Sequence, residues 1–149
     1  MRLKIPMREF QNKTYWIVGA SEGLGRALAI QLAKVGTKVI ISARSEERLI
    51  GLSEEIGSNT MVLPMDVSDR SSVQKAFSKL PKSLDGFIFV SGVYWHMSAS
   101  SWDETKAEEM VDVNLVGAMR CLAHLVPKFI NQGLSLIHIS EPTRPTLNS

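Results

Sequence analysis

Gly19-Ala20-Ser21-Glu22-Gly23-Leu24-Gly25 decides the fold. Residues 15–18 before it form a short apolar run of strand type, and residues 23–35 carry a helical period. A strand that turns through glycines directly into a helix is the setting in which such a loop binds phosphate. The reasons are backbone reasons. Gly19 permits a tight turn off the strand, Gly23 lets the chain approach a pyrophosphate with no Cβ in the way, and Gly25 lets helix and strand pack closely. The N–H groups at the helix start, with the helix dipole behind them, hold the anion. A glycine-rich turn that merely permits packing is the competing reading, and the strand–turn–helix setting disfavours it.

Outward from this loop the same alternation continues. Strand-type runs fall at 38–42, 60–64 and 86–90, the 60–64 run having a mixed Met/Val/Leu character. Helical segments fall at 46–56, 69–80 and 102–132. Strands alternating with helices of ten or more residues imply βαβ units, hence an α/β fold with a doubly wound parallel sheet. Helix starts are marked by Ser45 before Glu46 and Glu47, by Ser68 before Asp69, and by Ser101 with Glu104 three residues on. The 102–132 helix is apolar on more than one face, through Met110, Val113, Leu115, Val116, Met119, Leu122, Leu125, Val126 and Phe129. Such a helix is expected to be covered on two sides, by the sheet and by a second subunit.

Bulk properties narrow the function. With 149 residues, 44% of them hydrophobic and 21% charged, the chain suits one domain with one core. A formal net charge of +2 is too balanced to indicate nucleic acid or an acidic membrane surface. No run of consecutive apolar residues is long enough for a spanning helix, and the N-terminus lacks a signal-peptide core. Cys121 is the only cysteine, so an internal disulfide is excluded and a cytoplasmic setting is expected. His96, His124 and His138 stand far apart without ligand spacing, so no metal site is expected.

The spacing G-x-x-x-G-x-G differs from the G-x-G-x-x-G of ordinary dinucleotide folds and from the G-x-x-G-x-x-G of sugar-nucleotide epimerases. It resembles the single-domain branch of the short-chain dehydrogenase/reductase family. That resemblance implies a nicotinamide cofactor, with Gly19, Ser21, Gly23, Leu24 and Gly25 around its phosphates. The residue that reads the adenosine ribose lies at the end of the second strand. Here Ala43 stands where members preferring NAD carry an acid, and Arg44 follows it. A guanidinium there can pair with a 2′-phosphate, so NADP is favoured over NAD. A solvated surface charge is the plainer reading of Arg44. Glu22 departs from the pattern, because NADP-preferring members often place a basic residue at that point of the loop.

Further pieces fall in family order. Asp66-Val67 resembles the Asp-Val pair that lines the adenine pocket, although Asp66 could instead serve the start of the next helix. At the end of the fourth strand, Phe89-Val90-Ser91-Gly92 stands where the family usually has Asn-Asn-Ala-Gly, so only Gly92 matches outright and Ser91 is a mild change. Asp112-Val113-Asn114-Leu115-Val116-Gly117 resembles the family's mid-helix segment, which implies a local helix distortion at Asn114 and a water held there in the proton relay. Leu125-Val126-Pro127 matches the family's end of that helix. Trp95, His96 and Met97 read as an exposed loop.

The family's catalytic Ser and Tyr-x-x-x-Lys are missing. Tyr15 has Gly19 four residues on, and Tyr94 has Ser98. Residues 134–144 resemble the direct translation of a transposase-type sequencing-library adapter, so 134–149 are expected to be a non-native tail after an incomplete Rossmann domain at 1–133. A genuine fifth strand at 136–139 is the rival. The resulting expectation is an N-terminal piece of an oxidoreductase acting on a small alcohol or carbonyl, itself inactive, with a parent that forms a homo-oligomer through the 102–132 helix. The alternative is a non-catalytic nucleotide-binding or interaction module. An unrelated Rossmann-like methyltransferase is disfavoured because Ala43-Arg44 replaces its usual acid.

Overall fold

The protein is described by a computed structural model covering residues 10–133 and 136–139. In chain order the elements are β1 (Thr14–Val18), α1 (Gly23–Lys34), β2 (Lys38–Ser42), α2 (Glu46–Ile56), β3 (Thr60–Val62), α3 (Arg70–Ser78) and β4 (Gly86–Phe89). They are followed by α4 (Glu104–Val111), a π-helical turn (Asp112–Val116), α5 (Gly117–Gln132) and β5 (Leu136–Ile139). All strand pairings are parallel, in the order β3-β2-β1-β4-β5. This is a Rossmann-like, doubly wound α/β sheet.

Strand alternation sends neighbouring side chains to opposite faces, and both faces are covered, as the near-continuous apolar strands require. On one face Tyr15, Ile17, Val39 and Ile41 pack with Ala29 and Leu32 of α1 and Leu49 and Leu52 of α2. On the other, Trp16, Val18, Ile40, Phe87 and Phe89 pack with Val73 and Ala76 of α3, Val113, and Cys121, Leu125 and Phe129 of α5. Trp16 carries a polar atom into that core, and its Nε1 donates to Ser42 Oγ at 2.8 Å. The buried indole is thereby satisfied rather than orphaned.

Several boundaries differ from the sequence expectations. The 102–132 helix is not one α-helix. It starts at Glu104 and widens into a π turn at 112–116. Asn114 there spends its side-chain amide on the main chain of Val93, and Gly117 lets the next turn close onto Val67, where a Cβ would lie 2.8 Å from Val67 Cγ2. Inserted hydrogen bonds of this kind break a regular ladder. Arg120 closes the turn from the far side. Its Nη2 donates to Asp112 Oδ1 at 2.7 Å and its Nη1 to Asp112 Oδ2 at 3.2 Å and to the Val67 carbonyl at 3.0 Å. By length and composition the whole span Glu104–Gln132 is apolar enough to cross a bilayer, but its inward face is spent on the sheet.

Two caps also moved, one by a single residue and one by two. Asp69, not Ser68, caps α3, and Asp103, not Ser101, caps α4, each carboxylate accepting a main-chain N–H of the first turn. Ser45 caps α2 as expected, accepting from Arg48 N. The sheet does not stop at the long helix: Leu136–Ile139 pairs with β4 from Gly86 to Phe89. That apolar, β-branched run takes the edge the preceding helix leaves open. The rest of the expected tail, 134–135 and 140–149, lies outside the described residues.

Two measurements check this account. Gly25 is buried, and a Cβ there would lie 2.1 Å from the Gly19 carbonyl oxygen, a main-chain atom. Gly51 faces open space on the exposed side of α2. Gly25→Ala should therefore cost at least about 2 kcal/mol by overpacking, and Gly51→Ala should add about 0.5–1 kcal/mol by helix propensity. Both are read from urea midpoints at unchanged slope. Equal midpoints for Gly25→Ala and the parent chain would refute the close contact.

The second concerns pH. The Arg120 guanidinium holds the Asp112 carboxyl below its ordinary range against a smaller opposing effect of burial. A lowered folded-state pKa contributes stability that is present above the unfolded pKa, about 4, and is lost as pH falls through the folded value. The Asp112 side chain is 37% exposed, so the contribution is at most about 1 kcal/mol. The stability gap between the parent chain and Asp112→Asn should close as pH drops from about 5 to about 2. A gap independent of pH would remove the ion pair from the account.

Candidate functional site

The C-terminal ends of β1, β2 and β4, with the residues after β3, form one rim. Gly19 N and Ala20 N both donate to the Ser42 carbonyl, at 2.8 and 3.1 Å. Met65 N donates to the Ala43 carbonyl at 3.0 Å, and Val90 N to the Val18 carbonyl at 2.9 Å. From β1 the chain winds outward through β2 and β3 and then returns to β4 on the other side. Such a reversal opens a crevice beyond the strand ends, where ligands of doubly wound sheets bind. The crevice here is a groove of about 370 Å³.

Gly19, Ser21, Gly23, Leu24, Gly25, Arg44, Asp66, Val67, Ser91 and Gly92 all line this groove. The three loop glycines are required for different reasons. Gly19 has φ +96°, and a Cβ on it would lie 2.5 Å from Ser91 N. Gly25 has no room against Gly19. Gly23 has φ +54° and nothing within 4 Å of its missing Cβ, so conformation rather than contact demands glycine there.

The start of α1 is left for a ligand. Arg26 N donates to the Glu22 carbonyl at 3.2 Å, and the N–H groups of the turn before it have no intrahelical acceptor, as at any helix start. Glu22 occupies the N-cap position in extended backbone but makes no side-chain cap. Its carboxylate instead accepts from Arg48 Nη1 at 2.6 Å. A phosphate in the groove would meet uncapped amides and the positive end of the helix dipole. The residues present therefore fit a dinucleotide: an open, Cβ-free approach at Gly23, amides without intrahelical acceptors behind it, and two guanidinium groups on the groove wall after β2.

Asp66 does not start α3; Asp69 does. Asp66 Oδ1 accepts from Ser68 N at 2.9 Å, which fixes the carboxylate on the groove wall. Val67 is buried beneath Gly117, and its carbonyl is held by Arg120. Asn114 does not line the groove. Its Oδ1 accepts from Val93 N at 2.7 Å and its Nδ2 donates to the Val93 carbonyl at 2.9 Å, so it stands behind Val93, which does line the groove. The helix distortion expected at Asn114 is the π turn. Val90 lines the groove and Phe89 is buried in the sheet core, so the apolar pair replacing the two amides is packed.

Arg48 lines the groove beside Arg44 and was not singled out from the sequence. No local signal marked it, because an Arg in a first helical turn, four residues after Arg44, reads as solvated surface. Trp95, in the segment between β4 and α4, lies off the groove against α4, its Nε1 donating to Glu109 Oε2 at 3.0 Å and Lys106 sitting 5.8 Å from its ring centroid. Burial raises the Cys121 thiol to about 12, so it is no nucleophile at neutral pH.

Comparison with known proteins places this geometry. Residues 13–140 match the short chain dehydrogenase family. The chain is 34% identical over 136 residues to the NADPH-dependent pterin aldehyde reductase of Arabidopsis thaliana, covering 84% of this chain and 54% of that protein. It is 33% identical over 135 residues to serine 3-dehydrogenase of Rhizobium radiobacter, covering 86% and 53%. Among solved structures, the closed form of serine dehydrogenase complexed with NADP+ superposes with a TM-score of 0.76 at 26% identity, over 83% of this chain and 52% of that one. The 3-ketoacyl-(acyl-carrier-protein) reductase of Brucella melitensis complexed with NADH gives the same TM-score and identity, over 83% and 53%. The chain thus spans about half the length of the curated relatives it matches. With its glycine loop, its strand order and its rim in place, this chain belongs to the short-chain dehydrogenase/reductase family of oxidoreductases.

Proposed function

We propose that the chain is the cofactor-holding half of an NADP(H)-dependent oxidoreductase that moves a hydride between the nicotinamide and a small alcohol or carbonyl. The observation that carries the cofactor choice is the end of β2. Ala43 and Arg44 both line the groove there, so the place of a ribose-binding acid is apolar and the next residue is cationic. An acid would accept from two ribose hydroxyls and repel a 2′-phosphate, whereas a guanidinium pairs with one. One relative is named for its NADPH dependence and one neighbour was solved with NADP+, while another was solved with NADH.

The bound cofactor supplies the hydride chemistry. This chain's residues bind and orient it. The amides around Gly19, Ser21, Gly23, Leu24 and Gly25 hold the pyrophosphate, Arg44 the 2′-phosphate, and Asp66 and Val67 the adenine. Ser91 and Gly92 border the ribose side. Asn114 holds Val93 in place and, by the family resemblance, carries a water of the proton relay. The proton-transfer pair itself is not among the residues of this sequence. Tyr15 is buried in β1, and neither Tyr15 nor Tyr94 has a Lys four residues on. The chain alone is therefore inactive.

In a fluorescence titration, NADPH should bind more tightly than NADH. Arg44→Ala should weaken NADPH about 10- to 100-fold, the loss of a hydrogen-bonded charge pair, while NADH changes little. The same preparation should reduce no carbonyl. Equal loss for both cofactors would overturn the NADP preference, and turnover would overturn the inactivity.

We propose further that the parent is a homo-oligomer through α4–α5. Val111, Leu115, Met119, Val126 and Ile130 are 42–72% exposed, and successive spacings of four and seven residues put them on one outward face. A contiguous apolar stripe of this kind marks an interaction surface. Sedimentation velocity should show self-association that Leu115→Glu and Ile130→Glu abolish. A monomer at all concentrations would refute the interface.

A further inference from the structure

Arg48 has no part in the reading above, yet it borders the same groove from the first turn of α2. Its partner lies across the groove mouth. The bond from Arg48 Nη1 to Glu22 Oε2 at 2.6 Å joins α2 to the glycine loop, 26 residues away in sequence. Glu22 sits at the N-cap of α1, where a short polar side chain ordinarily accepts from the helix amides. It makes no such bond. The two side chains are 60% and 75% exposed, so the pair is solvated and readily exchanged. Arg44 stands four residues before Arg48 on the same rim, just outside α2, which gives this end of the groove two guanidinium groups against the carboxylates of Glu22 and Asp66.

We propose that Arg48 is a second reader of the cofactor's 2′-phosphate and that Glu22 is the anion it holds until that phosphate arrives. The inference rests on the NADP reading of the groove. A carboxylate offers Arg48 one negative charge and two acceptor oxygens. A phosphate monoester offers nearly two charges and three oxygens, and so wins the guanidinium. Glu22 is then not a simple obstacle to NADP. It holds Arg48 at the groove mouth beforehand, and only a ligand carrying the 2′-phosphate displaces it.

The test is a double-mutant cycle on the whole chain, with NADPH, NADH and adenosine 2′,5′-bisphosphate as probes. Glu22→Gln should tighten NADPH and the bisphosphate several-fold and leave NADH within about twofold. The deciding variant is Arg48→Ala in the Glu22→Gln background. If Arg48 touches the phosphate, NADPH weakens about tenfold even without Glu22. If Arg48 only neutralises Glu22, its removal has no effect once Glu22 is uncharged, and the proposal fails. Arg44→Ala separates the two levels of the reading. A change in the NADPH-to-NADH ratio on Arg44→Ala but not on Arg48→Ala overturns the Arg48 assignment alone. No change on either overturns the NADP reading beneath it. Urea midpoints of all variants should match the parent chain, because both side chains are exposed.

Discussion

The first turn of α1 rests on the carbonyl oxygen of Gly19, a contact open only to a residue without a side chain at position 25. Most of the groove depends on it. With Gly25 against Gly19, the helix runs back over the sheet instead of away from it, and Ala29 and Leu32 reach the strand face they cover. The turn at Gly19 aims two successive amides at the single carbonyl of Ser42. That fixes the glycine loop beside Ala43 and Arg44, which line the groove at the end of β2. The Ser91 main chain closes in on Gly19, and the Val90 side chain on Gly25. Three strands and a helix thus converge on two positions where no Cβ fits.

Much of this was legible in the residues. The strand–glycine–helix junction declared itself through types that leave few alternatives, and every cofactor-side position inferred from it or from the family pattern lies on the groove. Ser45 was readable as a cap because its hydroxyl, its extended backbone and the acids after it act within four residues. Where two acceptors stood close together, as with Ser68 and Asp69 or Ser101 and Asp103, local pattern did not choose. The charged acceptor nearer the helix took the amide. The π turn was half legible. Asn114 signalled a disturbance, but the contacts that shape it, to Val93, from Arg120 and across to Val67, span 8 to 53 residues. Arg48 was illegible for the same reason: an Arg in a first helical turn looks like solvated surface until a carboxylate from another element appears beside it.

The π turn also ties the two ends of the groove together. Arg120 grips the Val67 carbonyl in the segment after β3 and Asp112 at the turn. Two residues on from Asp112, Asn114 grips Val93 on the side where β4 ends. The Val67 side of the rim is therefore tied to the helix by a bidentate ion pair and not by a loop alone.

The bond pair at Asn114 has a consequence for how the sheet ends. Its carboxamide gives and takes a hydrogen bond with one and the same residue, Val93. That is the exchange a backbone peptide group makes in a hydrogen-bonded strand pair. One side chain thus stands in for a peptide unit and pairs a main-chain segment that lies beyond the end of β4. Unsatisfied rungs are what recruit foreign strands to a sheet. At Val93 both main-chain groups are satisfied from within the chain, so this groove-lining segment offers no free donor or acceptor there.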